Sequence, residues 1–174
     1  VDGIIFPMVK TPKEAKELIE FSLYPPEGTR GFGPMAAISY GLYDTNKYVK
    51  NANKDICRFV QIECGEIIDD LDELMQNECI DGYIFGPNDL SGSINDFLNV
   101  YDEKTTKLME HTIKKLKENN KYVGIATGSN KQDVIAHWHN MGADMICSGG
   151  DLGFLTEGRA NMFNILKNNH KEGK

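Results

Sequence analysis

The sequence predicts an α/β fold built on a parallel sheet. Five apolar runs of strand length alternate with segments whose spacing or composition is typical of helices. Each run is apolar throughout instead of alternating with polar residues, which is typical of strands buried on both faces. An open doubly wound sheet and a (β/α)8 barrel both fit this pattern. Because a complete barrel takes about 250 residues and the chain has 174, the pattern alone favours the open sheet.

The first strand and the first helix have clear signals. Residues 3–9, GIIFPMV, form a compact apolar run, and the next segment opens with Thr11, Pro12 and Glu14. Residues of these types are typical of a helix N-cap, a first helical turn and a capping box. Residues 24–46 are rich in Gly, Pro and Tyr and predict a long loop. Loops of that length in compact domains are usually functional.

The remaining units repeat the alternation of strand and helix. In the fourth predicted helix, Asn130 and Gly142 predict the N-cap and the C-terminal end. A polar loop is expected after the third strand. The later predicted strands are RFVQIE (58–63), DGYIFG (81–86), YVGIAT (122–127) and DMICSG (144–149), and the later predicted helices are EIIDDLDELMQN (66–77), EKTTKLMEHTIKKLKEN (103–119), NKQDVIAHWHNMG (130–142) and RANMFNILKNNHK (159–171).

Composition argues against two classes of partner. The formal net charge is −7, and neither a nucleic acid nor a membrane surface attracts excess acid. No apolar run approaches the roughly 20 residues that span a bilayer. The four cysteines are not arranged in a metal-binding spacing, so a reduced, cytoplasmic protein is the simpler interpretation.

The start of the chain is unusual. A strand-like run begins directly after Val1, with no initiator methionine and no basic leader segment. We therefore expect that an upstream segment is missing from the sequence. The length of 174 residues predicts a single domain spanning residues 1–174.

Two predicted strands in consecutive units end at a carboxylate. Glu63 closes RFVQIE, and Asp89 follows YIFGP by two residues. Parallel α/β folds gather reactive groups beyond the C-terminal ends of their strands, and neighbouring strands lie about 4.8 Å apart. The two carboxylates would therefore lie close together at the C-terminal edge of the sheet. A hard divalent cation such as Mg²⁺, which commonly takes only one or two protein carboxylates, would relieve their repulsion.

Neighbouring residues add to this interpretation, but a second one stays open. Gln61 shares a strand face with Glu63, and Gly86 and Pro87 would let a ligand approach the backbone closely. Acids at strand ends also cap helices and turns, and Asp89 could cap a turn at LSGS. The chemistry of the residues alone favours neither a cation site nor a capping role.

Three separate segments resemble one known family. VQIE, followed one unit later by FGPNDLSGS, closely resembles the HpcH/HpaI family of metal-dependent 2-oxo acid aldolases. The stretches YPPEGTRGFGP and IIFPMVKTPKEA are similar to two further segments of that family. The similarity extends from Val1 to about Leu155, and the motifs stand in the family's order and spacing.

The resemblance implies a fold different from the open sheet. The family has a (β/α)8 barrel of the phosphoenolpyruvate/pyruvate type and usually assembles as a hexamer, or trimer of dimers, with an exchanged helix. By this match the chain holds about strands 4 to 8 of the barrel, and the N-terminal third is absent. The expected fold is therefore α/β, a partial TIM-type barrel in a homo-oligomer.

The resemblance also implies roles for individual residues. Glu63 and Asp89 match the metal ligands, with Mg²⁺ as the expected ion and Mn²⁺ or Co²⁺ as alternatives. Gln61, together with the backbone around Pro87 and Asn88, matches positions that hold the pyruvyl part of the substrate. A further position, Ala126, falls near the pocket for the aldehyde half.

Part of the family's catalytic machinery has no match in the sequence. The catalytic histidine, the acid that tunes it and an arginine that stabilises the enolate would all lie upstream of Val1. We expect none of the four histidines, His111, His137, His139 and His170, to replace that base, because they fall in helices or near helix ends. The chain alone is therefore expected to be inactive.

The resemblance implies a lyase. The expected reaction is the reversible, divalent-metal-dependent cleavage of a 4-hydroxy-2-oxo acid into pyruvate and an aldehyde. One alternative within the same fold is a citramalyl-CoA or malyl-CoA type lyase, although no basic cluster for CoA is evident. Another alternative, from a different class, is a non-catalytic metal-binding or assembly subunit whose partner supplies the missing residues.

Overall fold

The sheet is the frame of the molecule. The computed structural model describes residues 1–97 and 99–172, and its five strands all pair in parallel. Every predicted strand is present. Four strands are shorter than their predicted runs, and β2 has the predicted length but begins one residue earlier. The strands are β1 (Gly3–Phe6), β2 (Cys57–Ile62), β3 (Gly82–Phe85), β4 (Tyr122–Ala126) and β5 (Met145–Cys147).

The strands follow one another in the sheet in the same order as in the chain, from β1 to β5. A doubly wound sheet reverses its strand order at a switch point, whereas a barrel adds each strand beside the preceding one. The described part of the sheet contains no reversal. The open doubly wound sheet predicted from the pattern is therefore wrong, and the chain forms a five-stranded parallel half-barrel.

Eight α-helices and one short 3₁₀ helix, Ser39–Gly41, lie within the described residues. Within those residues, no helix combines the length and the apolar character needed to cross a membrane. The α-helices are α1 (Pro12–Ser22), α2 (Thr45–Asp55), α3 (Gly65–Asp69), α4 (Leu71–Leu74), α5 (Pro87–Ser93), α6 (Glu103–Glu118), α7 (Gln132–Asn140) and α8 (Asp151–Glu172).

The observed N-cap residue matches the predicted one in α1 and differs from it in α7. The side chain of Thr11 accepts a hydrogen bond from the Glu14 amide at 3.2 Å, so the predicted N-cap of α1 is confirmed. The predicted N-cap of α7, Asn130, is wrong, because Lys131 occupies that position. The Asn130 side chain instead donates a hydrogen bond to Oε2 of Glu157 at 2.7 Å.

Four segments differ from the predicted helices. The sequence predicts no helix in the α2 segment and a polar loop at the position of α5. The last helix, α8, begins at Asp151 rather than at residue 159. The predicted helix 66–77 is broken at Asp70 into the short α3 and α4.

The hydrophobic core lies between the sheet and the helices. Side chains from alternate positions of the three central strands point to this side and are fully or almost fully buried. They pack against apolar residues of α1, α4 and α6. The strand residues of this core are Val60, Ile62, Tyr83, Phe85, Val123 and Ile125.

The other face of the sheet is less well covered. Ile5, Tyr122 and Met145 lie on it and are 46%, 67% and 37% exposed. In a complete barrel this face is the packed interior. The half-barrel therefore presents apolar surface on this face.

A buried arginine connects the N-terminal end of β2 to two helices. Arg58 of β2 is 3% exposed. Its Nε donates to Oγ of Ser22 at the end of α1, at 2.7 Å. Its Nη1 donates to the carbonyls of Asn53 and Ile56 at the end of α2, at 3.0 and 2.8 Å. The C-terminal end of a helix carries partial negative charge, which compensates for the buried cation.

Replacing Arg58 with methionine is expected to lower the free energy of unfolding by about 3 kcal/mol, because several buried acceptors lose a charged donor. Urea unfolding would measure this loss. Arg159→Met, at an exposed position of α8, is the matched control and should change the free energy by no more than about 0.5 kcal/mol. Equal effects of the two substitutions would contradict this role for Arg58.

Candidate active site

Glu63 follows β2 directly and is the most confined acid of the site. It is 3% exposed, and each of its carboxylate oxygens accepts one hydrogen bond. The Met8 amide donates to Oε1 at 2.5 Å, and Nε2 of Gln61 donates to Oε2 at 2.6 Å. A carboxylate oxygen has more than one acceptor position. Glu63 can therefore bind a further partner while both of these bonds remain.

The absence of a side chain at Gly86 makes room for this arrangement. A Cβ atom at that position would lie 2.8 Å from Oε2 of Glu63 and 2.9 Å from Nε2 of Gln61. The sequence indicated that a ligand approaches Gly86. In the structure, the space at Gly86 is taken up by the side chains of Gln61 and Glu63.

Asp89 lies in the first turn of α5, just beyond the C-terminal end of β3. Gly86 is the N-cap residue of α5 and no side chain caps this helix end by a hydrogen bond, so the structure does not support a capping role for Asp89. Asp89 and Glu63 line the same cavity, which has a volume of about 410 Å³. The complete lining is Met8, Lys10, Glu63, Cys64, Glu66, Asn88, Asp89, Gly92, Ser93 and Phe97.

Electrostatics link the two carboxylates. Burial raises the pKa of Glu63, the hydrogen bond from the Met8 amide lowers it, and the negative charge of Asp89 raises it again. The net direction is upward. A cation shared by the two acids would reverse the repulsive contribution. Without a cation, burial and the charge of Asp89 thus disfavour the ionised form of Glu63.

Glu63 is expected to make the metal-free chain less stable as the pH rises. Because its pKa is raised in the folded chain, the unfolded chain ionises first, above about pH 4.3. The stability that its protonated form contributes is complete below that pH and is lost as the pH rises through the folded pKa. Urea unfolding in EDTA at a series of pH values would measure this slope. Glu63→Gln should remove this part of the slope, and an unchanged slope would contradict the assignment.

The chemistry of the donors fits a hard divalent cation. Among the described residues, no group of three or more His, Cys, Asp or Glu side chains is arranged to hold a metal ion. Mg²⁺ does not require one, since it commonly keeps water and substrate oxygens beside one or two carboxylates. Two carboxylates on a cavity with room for a small ligand meet that requirement.

The other predicted site residues are distributed around this pair. Gln61 contacts Glu63 directly, Asn88 lines the cavity, and Pro87 is the buried first residue of α5. Ala126 ends β4, is half-buried and does not line this cavity. The structure therefore brings the metal-binding and pyruvyl-binding candidates together and leaves the aldehyde-pocket candidate on a neighbouring strand.

Seven of the ten lining residues were not predicted as site residues, and three of these seven lie outside the segments that carry the predicted metal ligands. Met8 and Lys10 follow β1, and Phe97 lies in the turn after α5. The apolar run that contains Met8 indicates a strand but carries no signal for a residue that turns into the site. The described part of the chain places no histidine in the lining of the cavity.

Comparison with known proteins supports the resemblance. The model of the family HpcH/HpaI aldolase/citrate lyase matches residues 1–152. A hydroxypyruvate/pyruvate aldolase of Deinococcus radiodurans is 28% identical over 172 residues, which cover 99% of this chain and 61% of that protein. A 2-keto-3-deoxy-L-rhamnonate aldolase of Escherichia coli K12 is 30% identical over 149 residues, covering 85% and 55%.

A solved structure shows the same fold. The crystal structure of an HpcH/HpaI aldolase from Desulfitobacterium hafniense superposes with a TM-score of 0.84 at 23% identity, covering 96% of this chain and 64% of that one. The expected partial TIM-type barrel is confirmed by this match. The chain spans 55% and 61% of the length of the two relatives above.

Proposed function

The chain belongs to the HpcH/HpaI aldolase/citrate lyase family, and on that premise we propose that it forms the metal-binding and pyruvyl-binding part of an aldolase. The reaction is the reversible cleavage of a 4-hydroxy-2-oxo acid into pyruvate and an aldehyde. The observation that carries this proposal is that Glu63 and Asp89, from consecutive βα units, line one cavity beyond the C-terminal ends of the strands.

Glu63 and Asp89 would hold the divalent cation, with Mg²⁺ as the first candidate and Mn²⁺ or Co²⁺ as alternatives. When bound, such an ion supplies Lewis-acid stabilisation of the negative charge that develops on the 2-oxo acid as its C3–C4 bond breaks. The protein's contribution is to hold two charged oxygen donors in fixed positions before the substrate arrives. The hydrogen bonds to both oxygens of Glu63 support this.

Gln61 and the start of α5 would orient the pyruvyl group. One amide hydrogen of Gln61 is used on Glu63 at 2.6 Å. The second one is available for a substrate oxygen, since an amide nitrogen carries two donors. The backbone of Pro87 and Asn88 lies at the adjoining edge of the site. Ala126, on the next strand, would face the aldehyde half, where a small side chain leaves room.

We propose that residues outside 1–174 supply proton transfer. The cleavage needs a base for the 4-hydroxyl proton, and no histidine of the described chain lines the cavity. The chain alone should therefore bind the cation and pyruvate but release no pyruvate from a 4-hydroxy-2-oxo acid. Pyruvate release by the pure 174-residue chain, lost in EDTA, would contradict the assignment of the missing base.

Binding of pyruvate tests the function without requiring activity. The methyl proton signal of pyruvate should broaden when Mn²⁺ and the chain are present together, beyond the broadening by free Mn²⁺, because the bound ion tumbles slowly and contacts the ligand. Glu63→Gln should abolish the additional broadening. Propionate, which lacks the keto oxygen needed for chelation, should broaden less than pyruvate. Equal broadening of the two ligands would contradict recognition of a 2-oxo acid.

We also propose that the protein is a homo-oligomer and that α8 contributes to the interface. Every residue from Asp151 to Asn169 is exposed, although the helix carries many large apolar side chains. Burying one such side chain is worth about 1.5–3 kcal/mol, which favours association. The exposed apolar residues of α8 are Leu152, Phe154, Leu155, Met162, Phe163, Ile165 and Leu166.

The double substitution Leu155→Lys with Leu166→Lys is expected to shift the chain towards the monomer, because both side chains lie on the same face of α8. Light scattering after size-exclusion chromatography measures the mass. Asn161→Lys with Asn164→Lys adds the same charge on other faces of the helix and should leave the mass unchanged. A monodisperse wild-type monomer would contradict the proposed interface.

A further inference from the structure

Met8 has an unusual backbone conformation at the edge of the site. It is the second residue after β1, and its φ is 55°, in the left-handed region. Residues other than glycine rarely adopt this region, and asparagine does so more readily than methionine. Of the five non-glycine residues with positive φ among the described residues, two are asparagines, Asn95 and Asn120. A strained residue beside a candidate site calls for a physical reason.

Side-chain packing does not provide that reason. Met8 is 51% exposed, so burial of the thioether does not force the backbone into this conformation. The backbone amide, in contrast, has a defined partner. It donates to Oε1 of Glu63 at 2.5 Å, across 55 residues of sequence.

The amide of Met8 complements that of Gln61. Nε2 of Gln61 donates to Oε2 of Glu63, so the two donors hold one oxygen each and restrict rotation of the carboxylate. Gln61 is in β2, two residues before Glu63, whereas Met8 lies just after the neighbouring strand β1. The bond from Met8 therefore ties the carboxylate to β1 as well as to β2.

We propose that Met8 is a positioning residue whose left-handed backbone aims its amide at Glu63 and orients the carboxylate for the cation shared with Asp89. The inference rests on the proposed metal-binding function. It assigns the role to the backbone of Met8 and not to its thioether. The side chain is free to change as long as the conformation is kept.

Two substitutions separate the backbone from the side chain. Met8→Gly removes the side chain but keeps the amide and adopts positive φ without cost. Met8→Val keeps an apolar side chain but is β-branched, which strongly disfavours the left-handed region and redirects the amide. Asn120→Val is the matched control, because Asn120 has a φ of 57° in the turn between α6 and β4 and does not line the cavity.

The affinity for Mn²⁺, titrated by the electron paramagnetic resonance signal of the free ion, is the readout, with thermal unfolding measured beside it. Met8→Gly should bind within about twofold of the wild type, and Met8→Val about tenfold more weakly. Asn120→Val should lower the melting temperature to an extent similar to Met8→Val without changing the affinity. Met8→Thr, a smaller β-branched change, replaces Met8→Val if that variant does not fold.

The other possible binding results would contradict either the role of the Met8 backbone or the proposed metal site. If Met8→Gly weakens binding as much as Met8→Val, the side chain is responsible and the inference is wrong. If Asn120→Val weakens binding equally, the effect is general destabilisation and the inference is again wrong. If the wild type binds and Met8→Val binds equally well, the inference alone fails. If the wild type binds no Mn²⁺, the proposed metal site fails as well.

Discussion

Glu63→Gln and Asp89→Asn are each expected to lower the affinity for Mn²⁺ by about 100-fold, which corresponds to about 2.7 kcal/mol. Each substitution replaces one of two charged oxygen donors on the cavity by a neutral amide of similar shape. Since the remaining carboxylate alone is a weak ligand, the double substitution should lose little more than either single one. Isothermal titration with Mn²⁺ measures the three affinities.

The cavity offers its own control for this experiment. Glu66 lines the same cavity but is an exposed residue in the first turn of α3 and is not a predicted ligand. Glu66→Gln removes the same charge and should change the affinity by no more than about threefold, as expected for a screened charge near a site. If Glu66→Gln lowers the affinity for Mn²⁺ as much as Asp89→Asn, the overall negative charge of the cavity attracts the ion. The assignment of Glu63 and Asp89 as its specific ligands would then be wrong.

Gly86→Ala is expected to weaken Mn²⁺ binding by about tenfold and to lower the free energy of unfolding by about 2 kcal/mol. The new Cβ would lie within 2.8–2.9 Å of the side chains of Glu63 and Gln61, closer than such contacts allow. The backbone at Gly86 has a φ of −103°, which alanine also adopts, so the cost is steric. Metal titration and urea unfolding measure the two effects.

Gly158→Ala provides the comparison for this substitution. A Cβ at Gly158 meets nothing within 4 Å, and the residue lies inside α8. Alanine is the better helix former, so this change should stabilise the chain by about 0.5–1 kcal/mol and leave metal binding unaltered. Gly86→Ala with wild-type affinity would show that the carboxylate does not depend on the space at Gly86.

The strands were the most predictable part of the fold. Each is a short apolar run bounded by turn residues, and β2 and β3 end close to the predicted positions. Helix α2 escaped prediction because its sequence is polar and Ala52 is its one buried residue. Helix α5 escaped because PNDLSGS consists mainly of poor helix formers, which here follow a proline at the first position.

The order of the strands could not be predicted from local patterns. Buried parallel strands are apolar in a doubly wound sheet and in a barrel, so the runs alone do not distinguish the two folds. The resemblance of VQIE and FGPNDLSGS to a barrel family supplied the missing information. This shows that topology here is carried by specific motifs and not by hydrophobic periodicity.

The sequence indicates the two carboxylates of the candidate site but not the residues that support them. Glu63 and Asp89 were identified because strand ends in parallel folds converge, a rule that needs no coordinates. The left-handed conformation of Met8 has no sequence signal, since methionine has no preference for it. The location of Phe97 depends on how the turn after α5 folds back over Gly92.

A crystal structure of the chain with Mn²⁺, measured at the manganese absorption edge, tests the central claim most directly. We expect one anomalous peak per chain in the cavity, about 2.1–2.2 Å from oxygens of both Glu63 and Asp89. A peak that contacts only one of these carboxylates, or one bound elsewhere while the cavity holds water, would contradict it.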